Sequence, residues 1–314
     1  MRIQPPWIAC RERVEEAFDH AEVLVWLEQL CPQLASAGML TLGRGQPHRL
    51  TGKQAAAAAA APKRPFALWR AILPPVNALT TPDTLPPAHP QMRTDEPAAV
   101  WLSTRDLEGL CADVRDGGAG LSVEQLDIDE AIVWPQQGRL LETWATRLRE
   151  ARESFADDAP MRGLVESAAA DYVAALADPN TWAGEDWRHH FQPAWLAAIA
   201  AHTRMRGRRA AMRISREYRV WPLYARDAAM IYALARDEAT GEPIDLSDTH
   251  SRLGRMTIRG RVALANETIL AAVLAETPAQ IGDALTAALT LPGGQDPTPP
   301  QQPENGPAEG EIPR

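Results

Sequence analysis

The chain has 314 residues, 45% hydrophobic, 23% charged and 6% aromatic, with a formal net charge of −9 and an isoelectric point near 5.4. That apolar share excludes wholesale disorder, and the length fits one large domain or two of ordinary size. The acidic balance repels polyanions on average, so any nucleic-acid site has to be a local basic surface. Lysine occurs only at Lys53 and Lys63, which leaves arginine to carry nearly all the positive charge. Cys10, Cys31 and Cys111 are odd in number and widely spaced, which argues against a disulfide framework or a zinc cluster and for reduced thiols. The N-terminus shows no secretory pattern, and no apolar run approaches the roughly 18–20 residues of a membrane span. A soluble, cytoplasmic protein is the expectation.

In chain order, Val14 to Leu30 fits an amphipathic helix. The stretch from Gly52 to Arg64, with its alanine run, reads as a surface insertion. From Pro74 to Pro97 the chain is expected to run extended over the surface, since proline cannot donate to a ladder or a helix. Strands are expected at FALWRAIL (66–73), AAVWLS (98–103) and LDIDEAIVW (126–134), and Gly117, Gly118 and Gly120 mark an exposed turn. Leu141, Trp144, Leu148, Ala151 and Phe155 recur at three- and four-residue spacing, as do Leu196, Ile199, Thr203, Gly207, Ala210 and Ile214. Both stripes predict helices, with an alanine-rich helix between them at 163–177. RVWPLYA (219–225) and AMIYALA (229–235) read as a tight hairpin around Arg226, Asp227 and Ala228, with Pro222 at an edge or bulge. One or two helices are expected over 260–291. Residues 292–314, dominated by Pro, Gly, Gln and Glu, cannot bury enough apolar surface to offset chain entropy and read as a disordered tail. The fold class is therefore α+β over residues 1–291, with a Pro/Ala-rich insertion at 52–97.

Two groups of residues could carry chemistry. Arg204, Arg206, Arg208, Arg209, Arg213 and Arg216 cover the polar side of the helix around 196–214, with His189, His190 and His202 nearby. Guanidinium groups match phosphate bidentately, so this face suits a nucleic-acid backbone, with Trp182, Trp187 and Trp195 as stacking partners. A solvated face paired with surface carboxylates reads equally well from the same residues. The second group is a carboxylate pair, Asp19 and Asp227. Two-metal phosphoryl transfer needs aspartates from separate strands that converge on Mg²⁺, and the hairpin supplies Asp227. An aspartate in a turn is also an ordinary structural residue. Walker-type glycine loops, Gly-x-Ser-x-Gly elbows and His-Glu-x-x-His helices are missing from the sequence, and the adjacent histidines 189 and 190 are expected to point to different sides.

The order of these segments resembles the telomere-associated proteins of actinobacterial linear chromosomes and plasmids, in the part similar to the palm of family-B DNA polymerases. The likeness rests on AFDHAEVLVWLEQLCPQLASAGMLTLGRGQPHRL (17–50), FALWRAIL with DTLPPAHP, residues 100–152, DWRHHFQPAWLAAIAAHTRMRGRRAA (186–211), and VWPLYARDAAMIYAL with SRLGRMTIRG. It implies an antiparallel palm-like sheet packed against several helices, with Asp19 and Asp227 at the two metal positions. It also implies a role at DNA ends in company with a terminal protein. The sequence departs from the polymerase pattern at Ala225-Arg226-Asp227, where two acids flank a threonine in polymerases, and Arg226 opposes a cation there. Residues 163–176 offer Glu166 where polymerases bring a lysine to the incoming nucleotide. The chain also begins almost at the first palm stretch, which implies no proofreading domain. A non-catalytic, DNA-associated scaffold without a cofactor is the leading expectation. The alternatives are a residual Mg²⁺-dependent nucleotidyltransferase and a protein-interaction module that binds no nucleic acid.

Overall fold

The computed structural model describes residues 7–81, 83–226, 228–235, 244, 246 and 253–263. Its elements follow one another as β1 (Trp7–Ile8), α1 (Arg11–His20), β2 (Val23–Gln29), α2 (Pro32–Ala37), β3 (Leu42–Arg44), β4 (His48–Thr51), α3 (Lys53–Ala60), β5 (Ala67–Leu73) and β6 (Ala98–Ser103). Then come α4 (Thr104–Cys111), β7 (Glu130–Val133), β8 (Gln136–Gly138), α5 (Glu142–Ser154), α6 (Ala159–Ala175), α7 (Pro193–Tyr218), β9 (Tyr224–Arg226), β10 (Ala229–Leu234) and β11 (Met256–Ala263). The α+β class holds, and the pairing within all three sheets is antiparallel.

A five-stranded sheet, ordered β1-β9-β10-β2-β11, forms the centre. Strand β2 alternates its side chains between two cores, as the pleat requires. Val23, Val25 and Leu27 pack with Ala211, Met212 and Ile214 of α7, while Leu24 and Trp26 pack with Val14 and Phe18 of α1. The sheet is thus covered by α7 on one face and α1 on the other. Gly207 lets α7 sit close: a Cβ there would lie 3.1 Å from Met230 Cε and 3.2 Å from Gln29 Nε2. Gln29 Nε2 in turn donates to the Thr203 carbonyl at 3.0 Å.

A four-stranded sheet, β4-β7-β5-β6, holds the second large core, around the fully buried Trp69. The Trp69 indole donates to Thr104 Oγ1 at 3.1 Å, and the Ala67 N–H donates to the same oxygen at 2.9 Å, so α4 is tied to β5 by one hydroxyl. Ser103 and Asp106 close a capping box at the start of α4.

Several expectations change here. The Val14–Leu30 helix is α1 followed by β2, because the run VLVWLEQ is buried on both faces between neighbouring strands. The 52–97 stretch, read as an insertion, contains α3, whose Ala55 and Ala59 are fully buried, and β5, an interior strand. Within the passage from Pro74 to Pro97, Leu85, Ala88, His89 and Met92 are buried. Strand character over 126–134 is confined to β7. Gly117 is buried against α7 and Gly118 against Ala112, while Gly120 is exposed as expected. SRLGRMTIRG contributes β11, which pairs with β2 and not with the hairpin. The helices expected beyond Ala263 and the tail at 292–314 lie outside the described residues.

Candidate nucleic-acid interface

Helix α7 presents its arginines to three different neighbours. Arg204 points to α4, where Nη2 meets Asp106 Oδ1 at 2.6 Å; both side chains are largely buried. Arg208 is 3% exposed and donates from Nε to the Gly117 carbonyl at 2.7 Å. Burial pushes its guanidinium down to about 10, still fully charged at neutral pH. Arg209 Nε donates to the Asp116 carbonyl at 3.2 Å, and Arg216 Nη2 donates to the Arg115 carbonyl. Three successive carbonyls, 115 to 117, are therefore held by three arginines of one helix. The loop can come that close because Gly117 has φ +80°, and a Cβ there would stand 2.8 Å from the Arg209 nitrogen. Arg208 and Arg204 thus serve the fold. That differs from the open phosphate-binding face expected for all six.

The remaining guanidiniums gather elsewhere. Arg206, Arg209 and Arg213 line a cleft of about 210 Å³ between α7 and the start of β11, with Ala210, Gly254, Arg255 and Met256. Spacing of three and four residues places the α7 members on one helix face. Arg206 lies across Gly254, whose missing Cβ would be 2.1 Å from its Nη2, and donates to the Leu253 carbonyl at 3.3 Å. Arg255 is carried there because its carbonyl accepts from the Leu30 N–H at 2.9 Å at the end of β2. Four guanidinium groups converge on this cleft, and no carboxylate is among its described lining residues. Sequence reasoning found three of the four; Arg255 needed the pairing of β11 with β2, more than 200 residues apart.

The carboxylates fall differently. Hairpin β9–β10 forms with Arg226 paired to Ala229, and Asp227 itself lies outside the described residues. Asp19 is exposed near the end of α1, beside the start of β2, whose first residue pairs with Leu234. The hairpin turn sits at the other end of that strand, where the Gln29 N–H donates to the Ala228 carbonyl at 3.0 Å. The length of β2, about 20 Å from Val23 to Gln29 at the usual strand rise, separates Asp19 from the turn. The acid that register sets beside the turn is Glu28, opposite Ala229, and Arg259 Nε holds it at 2.9 Å. Among the described residues no three His, Cys, Asp or Glu side chains form a group able to hold a metal ion. Of the Asp19–Asp227 pair that the palm resemblance implies for Mg²⁺, the described residues include only Asp19. Glu166, expected where a polymerase has a lysine, is ion-paired with Arg152 at 2.6 Å. The rings of His189 and His190 lie 4.1 Å apart rather than on opposite sides, and His190 stacks on Trp182 at 4.9 Å. Among the described residues no helix is long and apolar enough to cross a membrane.

This combination, a central antiparallel sheet with a late hairpin and a long arginine-rich helix across one face, is an α+β fold. Among solved structures the chain is similar to Phi29 DNA polymerase complexed with primer-template DNA and incoming nucleotide substrates, with a TM-score of 0.52 at 12% identity over 83% of this chain and 46% of that one. Similarity extends to the same polymerase complexed with single-stranded DNA, with a TM-score of 0.48 at 11% identity over 83% of this chain and 48% of that one. The chain thus spans about half the length of the polymerase. No family model matches the sequence, and no curated protein is similar to it.

Proposed function

We propose that this protein binds DNA without catalysing its synthesis, and that the arginine cleft between α7 and β11 holds the phosphate backbone. The observation that carries this reading is the gathering of Arg206, Arg209, Arg213 and Arg255 along one cleft, since guanidinium groups match phosphate oxygens bidentately. The cleft is a local basic surface on a chain of net charge −9, the only form in which such a chain attracts a polyanion. The fold supports the same direction, since the polymerase it resembles is complexed with primer-template and single-stranded DNA. The likeness of the palm stretches to telomere-associated proteins makes the ends of a linear replicon the first DNA to test, with a terminal protein as partner.

The test is fluorescence anisotropy with labelled duplex and single-stranded DNA, comparing the native chain with the double variant Arg209→Glu, Arg213→Glu and with Arg255→Glu. Each charge reversal is expected to weaken binding about tenfold, the worth of a lost charge-assisted hydrogen bond. Affinity unchanged in all variants, or no affinity in the native chain at low salt, contradicts the proposal.

A further inference from the structure

The fold treats the three tryptophans expected to stack on bases differently. Trp195 packs with Leu40 and Leu42 and donates from Nε1 to the Gly43 carbonyl at 2.7 Å. Trp182 is half-buried, and its Nε1 donates to the Ala175 carbonyl at 2.7 Å, at the end of α6. Trp187 stays open: it is 57% exposed, with Phe191 39% exposed four residues on. It rides on a turn of 3₁₀ helix, Glu185–His190, just ahead of α7. That turn is tied down where it ends, by the Gln192 N–H on the Leu176 carbonyl at 2.7 Å and by Gln192 Nε2 on the His189 carbonyl at 2.9 Å. Other rings back the indole. His190 lies 5.7 Å from it at 31°, and His190 in turn stacks on Trp182 at 4.9 Å and 27°. Gly184 leaves the indole its room, since a Cβ there would stand 3.3 Å from Trp187 Cδ1.

An indole backed by other rings and carried on a hydrogen-bonded turn is pre-organised, so little ordering is lost when a second flat ring covers it. We infer that Trp187 is a stacking platform for one unpaired base of a single DNA strand. This rests on the DNA-binding reading above and adds to it the form of the DNA. Every base has a π-face for an indole to match, but in a duplex those faces are covered by neighbouring base pairs, so a single strand is what presents one. Glu185 and Asp186 precede Trp187 and Arg188 follows it, so the local charge does not draw phosphates and the contact is with the base. Electrostatic attraction stays with the arginine cleft. Its nearest α7 member, Arg206, is about 20 Å along the helix from Pro193 at the usual rise. A strand of ordinary site size, about 4–16 nucleotides, spans that distance.

The experiment is fluorescence anisotropy on the full chain with a labelled single strand of about 12 nucleotides and with a hairpin duplex of the same sequence. The variants are Trp187→Leu, which keeps apolar bulk without a π-face, and Trp187→Phe, which keeps a ring; each is melted in parallel. Trp187→Leu is expected to weaken single-strand binding at least about fivefold, the lower end of what one stacked base is worth, and to leave duplex binding within about twofold. Trp187→Phe should recover most of the loss. Because stacking releases no counterions, the slope of log affinity against log salt should be the same in Trp187→Leu as in the native chain. Single-strand affinity unchanged by Trp187→Leu, the result of a protein-docking role, overturns the inference and leaves the DNA-binding reading standing. Equal weakening of single strand and duplex overturns it in the same way. No binding of either DNA by the native chain overturns the reading and the inference together.

Discussion

Arg204 and Arg208 lie one helical turn apart and meet the same wall, formed by α4 and the loop at 115–117. Arg204 is ion-paired with Asp106, and Arg208 is hydrogen-bonded to the Gly117 carbonyl. Arg208→Ala leaves that carbonyl without its donor and empties the space of the buried stem. We expect a loss of about 2–3 kcal/mol, read as a fall in the denaturation midpoint, with DNA affinity unchanged. The same neighbourhood sets a pH response. Burial holds His89 down to about 4 against the upward pull of Asp106, with a smaller downward push from the Arg204 charge. His202 is also held near 4, by burial and by Arg105, Arg206 and Arg209. Both rings are neutral in the fold and take up protons more readily once unfolded, near 6.5. Stability is therefore complete above about pH 6.5 and declines as pH falls toward 4. A melting series from pH 7.5 to 4.5 should show a monotonic drop, and His89→Gln should flatten it; a flat series in the native chain would contradict this.

Among the elements, the helices were the most legible, since stripes such as Leu196, Ile199 and Thr203 persist over many turns and one period fits them. Strands with sharp alternation, β5 and β6, were nearly as clear. Strand β2 was not, because Val23 to Gln29 is buried between neighbours and carries no alternation to separate it from the helix before it. A continuous helix reading hides Glu28, which the strand register sets opposite Ala229. The clamp between α7 and the 115–117 loop was hidden for another reason. Its acceptors are backbone carbonyls, which every residue has, and its only signature is Gly117. Gly117→Ala puts a Cβ at a left-handed φ and 2.8 Å from backbone. It is expected to cost about 1–3 kcal/mol, measurable by urea denaturation, whereas Gly163→Ala, at an open helical position, should be neutral or stabilising.

For the molecule as a whole, the central sheet sets the hairpin turn at one end of β2 and the end of α1 at the other, with α7 across one face. The arrangement of three of the four cleft arginines was readable from α7 alone. The fourth arrived through strand pairing, which a single sequence does not display. Arg204, Arg208 and Arg216 are engaged in holding the fold, and Arg209 in part, so the DNA-binding proposal narrows to Arg206, Arg209, Arg213 and Arg255.

Counterion release makes that claim measurable. With three or four phosphates neutralised, duplex DNA affinity should fall about 40–150-fold between 50 and 200 mM salt. The most direct measurement is the slope of log affinity against log salt for the native chain and for Arg209→Glu with Arg213→Glu. The account predicts a shallower slope in the variant, by about two counterions. Equal slopes and equal affinities in the two proteins would contradict it.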